Sequence, residues 1–193
     1  MSDPRVLPEE SQRLRALSHP TRIAILNHLA SVGSATATDC SRFVGASPSA
    51  CSWHLRALEK AQWVETMPGS WGRERPWRYI GDLHNVLPSD SSDPVVSAVE
   101  AALLQNSRTL EDLFLRRRPS LPKDKADSAD FIHGLFWATP DELRMVKDQI
   151  NAILGPYVNR APEDRPKGSL RLAATWAVVP WLAHDYHDEN GRE

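Results

Sequence analysis

The feature that most constrains this chain of 193 residues is the short string Gly45-Ala46-Ser47-Pro48. Residues 38–44 have a helical pattern, and Gly45 supplies the left-handed conformation that commonly ends a helix. Ser47 is a good N-cap, and Pro48 fits the first helical position, where its missing N–H would have had no partner. Two short helices joined by a tight glycine turn, the second opening on small polar residues, predict a helix-turn-helix. The second of these helices is expected over residues 47–62. Its apolar stripe is Cys51, Leu55 and Leu58, at i, i+4 and i+7. The other side carries Ser49, Ser52, Trp53, Arg56 and Lys60. Ser and His side chains bond base edges or phosphates, and Arg56 adds attraction to phosphate.

The flanks complete a small domain. Residues 11–17 predict a short helix with Leu14 and Leu17 inward. Ser18-His19-Pro20-Thr21-Arg22 reads as the start of a second, whose face of Ile23, Leu26 and Ala30, flanked by Ile25 and Leu29, runs to Gly33. After the fourth helix, residues 63–67 predict a strand, 68–76 a turn and 77–80 a return strand. A hairpin whose tip carries Gly72, Arg73 and Arg75 is a wing, and basic tips of this kind reach a phosphate backbone or an adjacent minor groove.

Three strings now stand in order. They are Leu17-Ser18-His19-Pro20-Thr21-Arg22-Ile23-Ala24-Ile25-Leu26, then Gly45-Ala46-Ser47-Pro48-Ser49-Ala50-Cys51-Ser52-Trp53-His54-Leu55-Arg56-Ala57-Leu58, then the Arg-bearing hairpin. Together they resemble the winged helix of the ArsR/SmtB family of bacterial repressors over about residues 11–80. The resemblance implies that the fourth helix is the recognition helix, with Ser47, Ser49, Ser52, Trp53 and His54 facing DNA. It adds the wing residues Arg73 and Arg75. Arg56, with Thr21 and Arg22 at the start of the second helix, completes the expected DNA-binding set. Trp53 departs from the pattern, since the family often has a polar or basic residue there.

Family members that sense soft metals carry a Cys-x-Cys pair just before the aspartate of the third helix. The matching stretch here is Thr36-Ala37-Thr38-Asp39, and Thr hydroxyls do not replace thiolates for soft cations. Neither a metal site nor another cofactor is therefore expected. Cys40 and Cys51, the two cysteines of the chain, read either as small buried hydrophobes or as a redox or metal pair. His184 and His187 are spaced like ligands, but in a polar tail where fraying is normal.

Net charge is −2, which taken alone argues against a nucleic-acid partner, yet it averages unlike halves. Residues 1–81 hold 10 basic and 7 acidic side chains, whereas residues 82–193 hold 13 and 18. The sign changes at a stretch rich in turn formers, which places a boundary between a DNA-binding domain, 1–81, and a second domain, 82–193. In the second domain a helix is expected over residues 94–116. Val96, Val99, Leu103, Asn106, Leu110 and Leu113 form a seam with 3,4 spacing that reads as a dimerisation face, with Asn106 fixing register. The same face could instead pack on its own domain.

Residues 131–138 and 170–178 predict strands, around a helix opened by the capping box Thr139-Pro140-Asp141-Glu142. The fold class expected is α+β: a winged helix-turn-helix followed by a long dimerisation helix and a small strand-helix-strand layer. Phe131, Trp137, Tyr157 and Trp176 would line either an ordinary core or a pocket for a small apolar effector. No nucleophile elbow, phosphate cradle or zinc-type spacing points to an enzyme. Without a membrane span or a secretory leader, the expectation is a cytoplasmic homodimer binding double-stranded DNA as a regulator, a repressor by resemblance. The alternative is a winged-helix module that binds a protein partner through Trp53 and Trp71.

Overall fold

The computed structural model describes residues 8–68, 75–81, 87, 93–132, 134–158, 160 and 164–180. Helix α1 spans Pro8–Arg15 and α2 spans Pro20–Val32. His19 caps α2, its Nδ1 accepting from the Thr21 N–H at 3.2 Å. Gly33, at φ 84°, ends it by donating its N–H to the Leu29 carbonyl. A two-residue strand β1, Ser34–Ala35, leads into α3, Ala37–Val44, which opens on a capping box between Thr36 and Asp39. Gly45 closes α3 in the left-handed region at φ 70°, as its position in the sequence requires.

Helix α4, Pro48–Lys60, is capped by the Ser47 hydroxyl, which accepts from the Ala50 N–H at 3.2 Å. Its exit has the geometry of a Schellman cap. Gln62 sits at φ 57°, and the Trp63 N–H donates to the Leu58 carbonyl at 2.9 Å. Strands β2, Val64–Thr66, and β3, Trp77–Tyr79, then form the base of the hairpin, in a three-stranded antiparallel sheet of order β1-β3-β2. Across it Glu65 stands opposite Arg78 and the two form an ion pair. The tip, residues 69–74, lies outside the described residues, and with it Trp71, Gly72 and Arg73.

One apolar core holds this module together. Leu17, Ile25, Leu26 and Leu29 meet Cys51, Leu55 and Leu58 of α4, and Ala35, Val64 and Trp77 close it from the sheet. The expected stripe on α4 is fully buried, each such aliphatic side chain contributing about 1.5–3 kcal/mol. Trp63 is the largest fully buried side chain among the described residues. Its indole N–H donates to the Arg13 carbonyl at 3.0 Å, and the Arg13 guanidinium lies 4.5 Å from the ring centroid. The Trp63 carbonyl in turn accepts from the Ile80 N–H at 3.1 Å.

The second half departs from expectation in three places. Helix α5, Pro94–Arg117, forms where its Asp93 cap and Pro94 predict it. Its seam, however, is covered by α1 and α2 of the same chain: Val96, Val99 and Asn106 are buried, and Leu103 packs against the common core. Only the distal part, including Leu113, is exposed. The 3,4 spacing marks a face that needs a partner but cannot say whether that partner is another copy, so the dimer-seam reading of Val96, Val99, Leu103 and Asn106 is corrected. The boundary between residues 81 and 82 falls at the edge of residues 82–86, which are not described.

The two strands expected at 131–138 and 170–178 do not form. Among the described residues neither segment pairs in a sheet, and their side chains are exposed. Alternation identifies a two-faced segment, whereas a strand also needs a partner edge and a layer to cover its apolar face. The helix between them, α7, Pro140–Leu154, does form on its Thr139–Glu142 capping box. A short 3-10 turn, Arg118–Ser120, and α6, Lys123–Ala126, were not foreseen. The 170–178 segment reaches α5 through a hydrogen bond between the hydroxyls of Thr175 and Ser107. No helix among the described residues is long and apolar enough to cross a membrane.

Two substitutions test this packing in urea denaturation followed by circular dichroism. A Cβ at Gly81 would overlap the Trp63 ring and come within 3.0 Å of Tyr79 Cε2. Gly81→Ala is therefore expected to destabilise the chain by about 1–3 kcal/mol. Gln62→Gly, which removes the cost of a side chain in the left-handed region, should stabilise it by about 0.5–1 kcal/mol.

Candidate nucleic-acid interface

The turn at Gly45 sets the direction of α4, and the Ser47 cap fixes its first turn. The Ser47 hydroxyl also lies 3.0 Å from that of Ser49, and both residues are exposed. Pro48 has no N–H and that of Ala50 is taken by the cap, so it is chiefly the positive end of the helix dipole that favours anions such as phosphate here. Farther along the same helix Trp53 stands 57% exposed, Ser52 is half-buried and Arg56 is exposed. These positions lie on one side because residues three and four apart share a helix face.

The rear of this face is built by α2. The Arg22 guanidinium lies 5.2 Å from the Trp53 ring centroid, and its Nη1 donates to the Ala16 carbonyl at 3.2 Å. Burial pushes the Arg22 side chain below its ordinary pKa. Thr21 is half-buried, with its N–H taken up by the His19 cap. Arg75, at the described edge of the wing, is exposed, and Arg73 lies outside the described residues. Arg78, by contrast, is matched by Glu65.

His54 does not belong to the exposed face. It is 7% exposed, its ring 4.6 Å from that of His19 and 5.0 Å from that of Trp53 at an edge-on 72°. Its Nδ1 is buried with no hydrogen-bond partner. Burial, then the charges of His19 and Arg22, push its pKa down to about 4, so the ring is neutral at pH 7. The expected base-reading role is thereby corrected: His54 supports Trp53 from behind. The signal was present in the spacing, since His54 lies at i+3 from Cys51 and i−4 from Leu58, on the buried stripe. Lys60 was seen only as part of the polar side, although it continues the Ser52–Arg56 row by one further step of four.

The other candidate sites are dispersed or closed. Phe131, Trp137, Tyr157 and Trp176 are all exposed and do not enclose a pocket, which corrects the apolar-effector site. Periodicity and composition identify apolar side chains, not whether they converge. Cys40 and Cys51 are free and fully buried. Burial, then the nearby Cys51 and Asp39, push the Cys40 thiol up to about 12, and burial raises that of Cys51. Both are therefore protonated and packed as small hydrophobes. The His184 and His187 pair falls outside the described residues.

The buried His54 makes the stability of this module pH-dependent with a defined sign. Below pH 6.5 the unfolded chain binds a proton that the folded ring resists until about pH 4. Stability contributed by the neutral ring is thus present above pH 6.5 and lost as the pH falls towards 4. His54→Gln should flatten the decline in urea midpoint across that window. Equal slopes for both proteins would reject this assignment.

Residues 17–65 match the family model of a helix-turn-helix domain, from the end of the α1–α2 link through α4 and into β2. No match to a curated protein was found. The matched span contains the glycine turn and all of the exposed face of α4, and it supports a DNA-binding module of the kind used in transcription regulation.

Proposed function

We propose that this chain is a homodimeric, sequence-specific DNA-binding regulator of the ArsR/SmtB kind, a cytoplasmic repressor rather than an enzyme. Helix α4 enters the major groove and the wing tip meets the adjacent backbone or minor groove of double-stranded DNA. The observation that carries this reading is the exposed face of Ser49, Trp53 and Arg56 on a helix whose first turn is capped and whose rear is braced by α2. In it Ser49, Ser52 and Trp53 face base edges, while Arg22, Arg56, Arg73 and Arg75 supply attraction to phosphate. The dimer follows from the two-fold operators that such modules read. With the proximal seam of α5 occupied, the second copy is met by the distal end of that helix, where Leu113 and Leu115 are exposed.

The exposure of Trp53 also favours a second reading, in which it anchors a protein partner, as aromatic hot-spot residues do. Selection from a random duplex pool separates the two. The expected result is a palindromic motif bound with strong salt dependence, and Ser52→Ala should alter which motif is enriched. Arg73→Ala with Arg75→Ala should weaken binding to all sequences and lower the salt slope by about two. If the pool yields no motif, the protein-partner reading replaces this one.

A further inference from the structure

Beside the face just described, the structure holds a cleft of about 280 Å³ between α1, the start of α2 and the C-terminal half of α4. Among the described residues Arg15, Arg22 and Lys60 line it, with Gln12 as the other polar side chain and no carboxylate. The remaining lining comes from the alanines at 16, 57 and 61, whose small side chains leave the space open. Among the described residues none of the three cations forms an ion pair. Arg22 is also short of partners, since its Nε is buried without a hydrogen bond.

A partly desolvated guanidinium with an unmatched donor is unfavourable, and an anion placed against it restores both charge and hydrogen bonding. A water molecule occupies about 30 Å³ of liquid, so the cleft has room for a phosphate group and some of its hydration. It is also in register with the rest of the interface. Lys60 lies one step of four beyond Arg56, so the cleft sits at the far end of the exposed row on α4. Arg22 spans the two, facing the cleft on one side and the Trp53 ring on the other.

We propose that this cleft is a phosphate-binding site in which Arg15, Arg22 and Lys60 hold the phosphate oxygens. The phosphate comes either from the backbone of a bound duplex, beside the groove entered by α4, or from a free phosphorylated small molecule. The first source rests on the DNA-binding reading, and the second does not. In both cases the ligand touches Arg22 and is therefore reported at Trp53.

The full chain is titrated with inorganic phosphate against sodium chloride of equal ionic strength, with Trp fluorescence as the signal. In parallel, affinity for the selected duplex is measured as a function of salt. Both are repeated with Arg15→Gln/Lys60→Gln, at two exposed positions, with thermal melting as a check on folding. A saturable response specific to phosphate, weakened at least fivefold in the variant while duplex affinity is kept, supports a free phosphorylated ligand. A fivefold or greater loss of duplex affinity with a salt slope lowered by about one assigns the site to a backbone phosphate. Equal responses to phosphate and chloride, together with unchanged duplex affinity, overturn the proposal. That outcome leaves the DNA-binding reading standing if the Ser52→Ala selection still shifts the motif.

Discussion

The burial of one indole ring, Trp63, is what the N-terminal module depends on. The residue leaves α4 through the left-handed turn at Gln62, enters β2, receives Arg13 over its face and donates to the α1 backbone. It also holds the chain leaving β3, through Ile80 and the close passage of Gly81. Four pieces of the fold are thus positioned by a side chain that combines a large apolar area with a polar handle. This accounts for one tryptophan in a chain with seven; Trp77 seals the same core from the sheet, and Trp53 serves the opposite purpose by staying outside.

The exposed face of α4 is firm because of what lies beneath it. Trp53 rests against the edge of a neutral, buried His54, and Arg22 flanks its ring. Backed in this way, a large aromatic ring loses little further rotamer freedom on binding, which favours affinity in a recognition surface. The same arrangement withdraws one polar side chain from the surface. That leaves serine hydroxyls, Arg56 and, at the far end, Lys60 as the polar side chains of the α4 face.

Much of the first half was legible because its signals are local. The Gly45 stop, the Ser47-Pro48 start and, in the second half, the capping box at Thr139 each operate within a few residues, and the sequence carries them directly; the equally local box at Thr36, which starts α3 one residue before the expected 38, went unread. What failed involved the identity of a partner. Val96 and Val99 have the spacing of a seam in either an intramolecular or an intermolecular setting, and only the fold shows that α1 and α2 cover them. The alternation at 170–178 describes two faces but supplies no neighbouring edge. His54 is a third kind of miss, a polar residue type read as exposed although its helical phase placed it inward. The aromatic side chains of the second half were counted correctly and placed wrongly, because convergence on a pocket is a property of three dimensions.

The order β1-β3-β2 has a mechanical consequence. The strand that returns from the wing lies at the centre of the sheet, and on its free side it is stitched to β1, the two residues that link α2 to the helix-turn-helix. The base of the hairpin and the entry to α3 therefore share a single hinge-free frame. In the proposed DNA-binding reading, such a frame would carry α4 and the described base of the hairpin as one piece, like a calliper with a fixed gap. A base pair added between the stretches they face would then have to be absorbed by bending the DNA rather than by this frame.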